Sequence, residues 1–277
     1  MIKTSSYSPR DNLTLRVSKS SYMTYVMCPR KYYWNYVADL PRPPASEAAI
    51  RGGLVHTVME EGLLQGPEQI SITAEKLGIA EDPAIDSLNL LIHQIAHDLD
   101  GMEVIESEVK HEVPEVYEGE DILWVGIIDG LIKTGNGINA IVELKTGKMN
   151  LGKLARTRKE LVYYYRLLEL MGNYETPTHF LYISPDYEYD ENDKLLLEGN
   201  KRGKRIWLGP EQGIAILEPI GKRSINAFTE SLKDTIASLR IQQWPMNWSD
   251  YFCPLWCEFC MNCEAELTGS IKEGEWL

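Results

Sequence analysis

Asp129, Glu143 and Lys145 stand in the stretch GIIDGLIKTGNGINAIVELKTG, and together they are residue types that can bind a divalent cation and hydrolyse a phosphodiester. The run ILWVGIIDGLIK (122–133) is rich in Val, Ile and Leu, as is INAIVELKT (138–146), and TGNG lies between them. Apolar, β-branched runs joined by a glycine-containing turn predict two strands of a hairpin. A turn centred on Asn136 sets Asp129 opposite Glu143. Side chains share a face at every second residue, so Glu143 and Lys145 point with Asp129, while Leu144 points away.

Two apposed carboxylates repel unless a cation sits between them. Magnesium or manganese suits hard oxygen donors of this kind, keeps several waters and can turn one into a nucleophile against a phosphodiester. Lys145 then orients that water or stabilises charge developing on phosphorus. A solvated hairpin with Lys145 as a salt-bridge partner has the same spacing. The stretch SEAAIRGGLVHTVMEEGLL (46–64) carries Ile50, Leu54, Val58 and Leu63 at a roughly helical period, with His56 and Glu60 one turn apart. His56 offers an imidazole to the same metal, against the ordinary reading of a lone histidine as a core or surface residue. Glu60 reads as a solvated neighbour.

Four of the five cysteines, Cys253, Cys257, Cys260 and Cys263, lie in YFCPLWCEFCMNC. Core packing needs no such density, which points to a metal or a cluster. A zinc site could use these four alone and leave Cys28 as a packing residue. The two-residue gaps of Cys257, Cys260 and Cys263 are similar to the start of a ferredoxin run. Disulfides are disfavoured by the odd count and by an N-terminus, MIKTSSYSPRDN, without the apolar core of a secretory signal.

With 277 residues and 44% hydrophobic content, the chain can bury a sizeable core as one α/β unit with a helical attachment. The absence of an apolar run near 18 residues predicts no membrane span or membrane partner, and a reducing, cytoplasmic setting is expected. A net charge of -13 repels phosphate overall, so nucleic acid must be held by local patches. Candidates are Arg30 with Lys31; Lys148, Lys153, Arg156, Arg158 and Lys159; and Lys201, Arg202, Lys204 and Arg205, each of which also reads as a solvated face. Tyr163, Tyr164 and Tyr165 offer stacking surfaces to unpaired bases, although helical spacing sends at least one of them to the core.

The predicted order is a helix (18–37), a Pro-rich joint (41–44), helices (46–64 and 83–100), strands from 105 to 146, and a helix (153–171). A strand (178–185), a polar hairpin (190–208), a strand (213–219) and a helix (221–242) running into the cysteine segment follow.

These residues, taken in order, resemble the RecB-like nucleases of the PD-(D/E)XK superfamily, most closely the iron-sulfur exonucleases that include the CRISPR-associated RecB-like proteins and related phage proteins. SKSSYMTYVMCPRKYYWNYV (18–37) is similar to the family's opening helix, RGGLVH (51–56) to its Gly and His motif, GIIDG (126–130) to the motif aspartate and VELKTGK (142–148) to Glu-x-Lys. ELVYYYRLLEL (160–170) resembles the helical motif written Gln-x-x-x-Tyr. The resemblance implies an α/β, restriction-endonuclease-like core, a mixed sheet flanked by helices, with a helical attachment and a C-terminal cysteine-rich iron-sulfur segment. It implies one nuclease domain over 1–277, with a helical part (18–104), a core (105–220) and a C-terminal helix and iron-sulfur segment (221–277).

By the same resemblance, His56, Asp129, Glu143 and the backbone carbonyl of Leu144 hold Mg or Mn, with Asp129, Glu143 and Lys145 catalytic. Tyr164, Glu160, Arg30 and Lys31 are the implied DNA contacts. Glu160 stands where the family has glutamine, and an ionised glutamate only accepts hydrogen bonds and repels phosphate, so it can instead hold Lys145 or an arginine. A 4Fe-4S cluster is implied on Cys28 with Cys253, Cys257 and Cys263, Cys260 being the alternative ligand. Such a cluster staples segments some 225 residues apart.

The implied activity is that of a metal-dependent DNA exonuclease working on single-stranded or frayed ends in the cytoplasm, or in a host cytoplasm if phage-encoded. The implied partners are DNA, a second copy of the chain, or recombination or CRISPR proteins. Two other readings compete: a catalytically silent DNA-end-binding or assembly subunit of a recombination, repair or spacer-capture complex, and a redox-responsive iron-sulfur protein with incidental carboxylates.

Overall fold

Strand and helix follow the local patterns in most of the chain, and the departures decide where the charged residues meet. The computed structural model describes residues 14–41, 44–147, 150–189, 203–209 and 211–270. The chain divides into two compact units, Met1–Lys19 with Val55–Gly221, and Ser20–Leu54 with Lys222–Leu277.

In the first unit, strand β1 (Leu15–Ser18) leads into helix α1 (Lys19–Met27), and helix α3 (Glu47–Gln65) enters at Val55. Helices α4 (Glu68–Leu77) and α5 (Pro83–Asp98) come next, then strands β2 (Met102–Glu106), β3 (Val109–Tyr117), β4 (Glu120–Ile128), β5 (Gly130–Thr134) and β6 (Asn139–Leu144). Helix α6 (Leu151–Met171) and strands β7 (His179–Ser184), β8 (Arg205–Leu208) and β9 (Ile214–Pro219) complete it.

The strands form two sheets, one ordered β1-β4-β3 and the other β2-β5-β6-β7-β9-β8. The larger sheet is mixed, since β6 and β7 run parallel while its other neighbours are antiparallel. Apolar residues of α3, α4 and α5, among them Met59, Leu88, Leu91 and Ile95, pack on Ile132, Val142, Leu181 and Leu217 of this sheet. Mixed sheets flanked by helices are the restriction-endonuclease-like α/β arrangement.

The hairpin register is as the turn at Asn136 predicts: Gly130 pairs with Val142, Leu131 with Ile141 and Lys133 with Asn139. The run 122–133 is nonetheless two strands. It breaks at Asp129, with β4 pairing to β3 in the smaller sheet and β5 to β6 in the larger. A residue at such a corner is free of the period-two alternation, so its side chain is aimed by tertiary contacts. Gly126 of β4 has a related role: a Cβ there would stand 2.6 Å from Leu167 and 3.2 Å from Tyr164, both on α6. Both side chains are buried, so any larger residue would have to displace them, and glycine lets α6 lie this close to the strand.

The second unit begins with the rest of α1, and the single helix predicted over 18–37 is interrupted at Cys28. The residue before a proline is disfavoured in the helical region, and Cys28 is extended (φ -159°) ahead of Pro29, which opens a short helix α2 (Pro29–Tyr32). A π-helical turn (Tyr33–Val37) follows. Helix α7 (Lys222–Arg240) and the short helices α8 (Phe252–Trp256) and α9 (Cys260–Thr268) complete the unit. Its core is aromatic. Trp244 stacks on Tyr32 with centroids 5.6 Å apart, and fully buried Trp34 packs with Phe259 and Cys263.

The predicted polar hairpin lies outside the described residues up to Arg202, as does Lys148. Among the described residues no helix is long and apolar enough to cross a membrane.

Candidate metal centre and cysteine segment

Asp129 is held by the corner on which it sits. Its Oδ2 accepts the backbone N–H of Leu144 at 2.9 Å, and its carbonyl accepts the Ser107 hydroxyl at 2.8 Å. Glu143, on β6 with both sheet neighbours in place, is only 1% exposed. Its Oε1 accepts from Lys145 Nζ at 2.5 Å and from Lys19 Nζ at 2.8 Å, while its buried Oε2 has no hydrogen-bond partner among the described residues. His56 Nδ1, from α3, stands 3.8 Å from Asp129 Oδ2 and 3.7 Å from Glu108 Oε1. One ligand atom each from His56, Glu108 and Asp129 lie within 4.8 Å of one another.

The electrostatics follow from burial and charge. Burial and the adjacent Glu143 charge push the Asp129 carboxyl up to about 7. Glu143 is more deeply buried, yet the Lys19 and Lys145 ammonium groups hold it below the usual carboxylate range. Burial works against the charges of Lys19 and Lys145, and their neighbour Glu143 overrides it, so both sit above the ordinary lysine value. His56 is likewise raised despite burial, by its bond to Glu108 and by the Asp129 charge. One carboxylate carries two ammonium groups, and the next is half inclined to keep its proton. That is the imbalance expected where a cation belongs between carboxylates.

Of the residues singled out in the sequence, His56 and Asp129 lie in this group, while Glu143 and Lys145 pair with each other beside it; Lys19 and Glu108 also stand here and the sequence did not single them out. Lys19 is the first residue of α1, delivered by β1, whose Ser18 pairs with Val125 of β4. Its ammonium also lies 4.6 Å from the Tyr164 ring centroid. The short alternating run LTLRVS is the one local hint of that strand.

Glu160, on α6, stands 3.1 Å from Lys145 and 3.8 Å from Arg156. Tyr163 and Tyr164 are both buried, the Tyr163 hydroxyl donating to the carbonyl of Val17 at 2.7 Å, so Tyr165 alone of the three is partly exposed. Arg158 and Lys204 are both bound to buried Glu218.

In the second unit, all five cysteines are free thiols. Cys253 and Cys263 are buried. Burial pushes the Cys263 thiol up to about 11, with Cys257 and Cys28 adding to the effect. The Cys257 thiol feels Cys253, and the barely buried Cys260 feels Cys253 and Glu264. Arg30 pairs with Glu266 at 3.3 Å and Lys31 with Glu258 at 2.6 Å, which anchors α2 to this segment.

Fold and site thus define a nuclease-type α/β domain whose acidic residues meet a histidine and two lysines. A family model described as the PD-(D/E)XK nuclease superfamily matches residues 16–264. The chain belongs to that superfamily, whose members are metal-dependent nucleases. No curated protein matches it. Among solved structures it is similar to one titled "Crystal structure of SSO0001", with 16% identity, a TM-score of 0.43, and coverage of 92% of this chain and 89% of that one.

Proposed function

We propose that the protein is a Mg- or Mn-dependent deoxyribonuclease of the RecB-like kind, an exonuclease acting on single-stranded or frayed DNA ends. The observation that carries this reading is the Glu143 carboxylate, whose Oε2 is buried without a partner among the described residues beside an Asp129 that burial and like charge have made reluctant to ionise. Carboxylate and carbonyl oxygens suit magnesium or manganese, with the imidazole the one softer donor of the set. His56, Asp129 and Glu143 would hold the ion, with the Leu144 carbonyl as a further donor. The ion supplies Lewis acidity toward a phosphodiester and a water made acidic enough to attack it.

The chain's own residues contribute position and charge. Leu144 N–H fixes the Asp129 carboxylate, so its orientation is set before any ligand arrives. Lys145, tethered between Glu143 and Glu160, is the donor that would orient the attacking water or meet charge growing on phosphorus. Glu160 works through Lys145 as a positioning residue; an acceptor-only carboxylate has no favourable contact to make with phosphate. Tyr164 would serve DNA indirectly, its ring lying under Lys19.

A 4Fe-4S cluster on Cys28, Cys253, Cys257 and Cys263 completes the proposal. Free thiols, two of them buried, suit a soft metal centre. Burial of Cys253 and Cys263 supports their place in that set, with Cys260 as the alternative ligand. The cluster would act as a structural staple.

The test is cleavage of end-labelled single-stranded and duplex DNA by anaerobically purified wild type and Glu143→Ala, with Mn or Mg. Metal-dependent shortening that the variant loses is the expected result. DNA binding without cleavage by either protein would replace this reading with that of a silent end-binding subunit in a recombination, repair or spacer-capture assembly.

A further inference from the structure

Glu108 lies in the turn between β2 and β3, with its backbone in the left-handed region at φ 53°. Non-glycine residues adopt that region uncommonly, and Glu118 and Gln242 do so as well, so it is the contacts of Glu108 that set its turn apart. The turn is fastened to the Asp129 corner from both sides. Glu108 N–H donates to the Ile128 carbonyl at 2.9 Å, and Ser107 Oγ donates to the Asp129 carbonyl at 2.8 Å.

So held, Glu108 brings Oε1 to 3.7 Å from His56 Nδ1. The ligand atoms of His56, Glu108 and Asp129 form the one group of this kind among the described residues. A second observation points to a ligand there: Glu143, whose neighbour Leu144 donates its N–H to Asp129 Oδ2 at 2.9 Å, is 1% exposed, and its Oε2 has no hydrogen-bond partner among the described residues. An ion pair between Glu108 and His56 alone would need neither a second nor a third carboxylate, Asp129 and Glu143, in the same neighbourhood.

We propose that Glu108 is a metal ligand, sharing the Mg or Mn ion with His56 and Asp129, and that its turn, fastened to the Asp129 corner, aims it there. This rests on the metal-dependent reading of the site and adds to it a carboxylate that motif spacing does not reveal. Four side chains rather than three then hold the ion, from α3, the β2-β3 turn, the β4-β5 corner and β6.

Glycine adopts φ 53° freely, which allows the structural and ligating roles of Glu108 to be moved in opposite directions. The experiment is calorimetric titration of DNA-free protein with Mn ion, using wild type, Glu108→Gln, Glu108→Gly and Asp129→Asn, together with metal-free thermal unfolding of each. Expected are a loss of Mn affinity of about 10–100-fold in both Glu108 variants, as for other altered metal-site partners, and a higher metal-free melting temperature for Glu108→Gly. Unchanged Mn affinity in Glu108→Gln and Glu108→Gly, with Asp129→Asn impaired, would overturn the role of Glu108 and leave the metal centre standing. Unchanged affinity in Asp129→Asn as well would overturn the metal centre itself, and Glu108 with it.

Discussion

Lys19 Nζ lies 2.8 Å from Glu143 Oε1, although 124 positions separate the two residues. The contact joins the start of α1 to the end of β6 and puts a second ammonium on an oxygen already bound by Lys145. A carboxylate buried this deeply is costly to ionise alone, and the two lysines offset that cost.

Lys19→Met, which keeps length and loses charge, is therefore expected to destabilise the metal-free protein by about 1–3 kcal/mol, less than the loss of a sole partner because Lys145 remains. Saturating Mn ion should recover part of that loss, since a cation beside Glu143 replaces the missing charge. Urea unfolding with and without Mn ion measures both. An equal deficit in the two conditions would show that Lys19 does not share Glu143 with a metal.

Asp129 gives a pH dependence with a definite sign. Its carboxyl is raised to about 7 in the folded protein and titrates near 4 when unfolded. A folded pKa above the unfolded one contributes stability that is complete below about pH 4 and lost as the pH climbs through about 7. In chelator, wild type should lose ~1–3 kcal/mol relative to Asp129→Asn between about pH 4 and 7. Unfolding of the pair at both ends of that window checks it, and a constant difference would refute it.

Cysteine substitutions should separate into two classes. Cys28→Ser, Cys253→Ser, Cys257→Ser and Cys263→Ser are expected to abolish bound iron and the visible absorption of the anaerobically purified protein. Loss of the staple should cost about 2–4 kcal/mol, as for other long-loop crosslinks. Cys260→Ser should keep both iron and colour. Elemental analysis that finds zinc in stoichiometric amount would replace the iron-sulfur reading by a zinc site.

Gly126→Ala tests how α6 is seated. The added methyl would stand 2.6 Å from Leu167 and 3.2 Å from Tyr164, so overpacking should cost about 1–3 kcal/mol. The same α6 carries Glu160, 3.1 Å from Lys145. A fall in kcat at saturating DNA, larger than any change in KM, is the expected kinetic signature, and wild-type stability and kcat together would contradict it.

The hairpin of β5 and β6 is legible residue by residue, because its register depends on the turn at Asn136 and on alternation within a dozen positions. The motif order from His56 to Tyr164 is legible for a similar reason: each motif is short and local. Helix α4 escaped notice between two more apolar neighbours, although Ile70 and Ala74 are fully buried. Pro29 could have marked the break at Cys28, since the effect of proline on its predecessor is local.

What sequence alone determined, then, is which residues are able to do the chemistry: a histidine, acidic residues and a lysine at spacings that helix and strand periodicity convert into direction. Only the tertiary structure decided that Asp129 stands at a corner between two sheets, that Lys19 reaches Glu143 from the far end of the first unit's sequence, and that a left-handed turn brings Glu108 to His56. The physical reason is range. Backbone periodicity aims side chains over a few residues, whereas burial of Glu143 and the charges gathered around it depend on strands paired across more than a hundred positions.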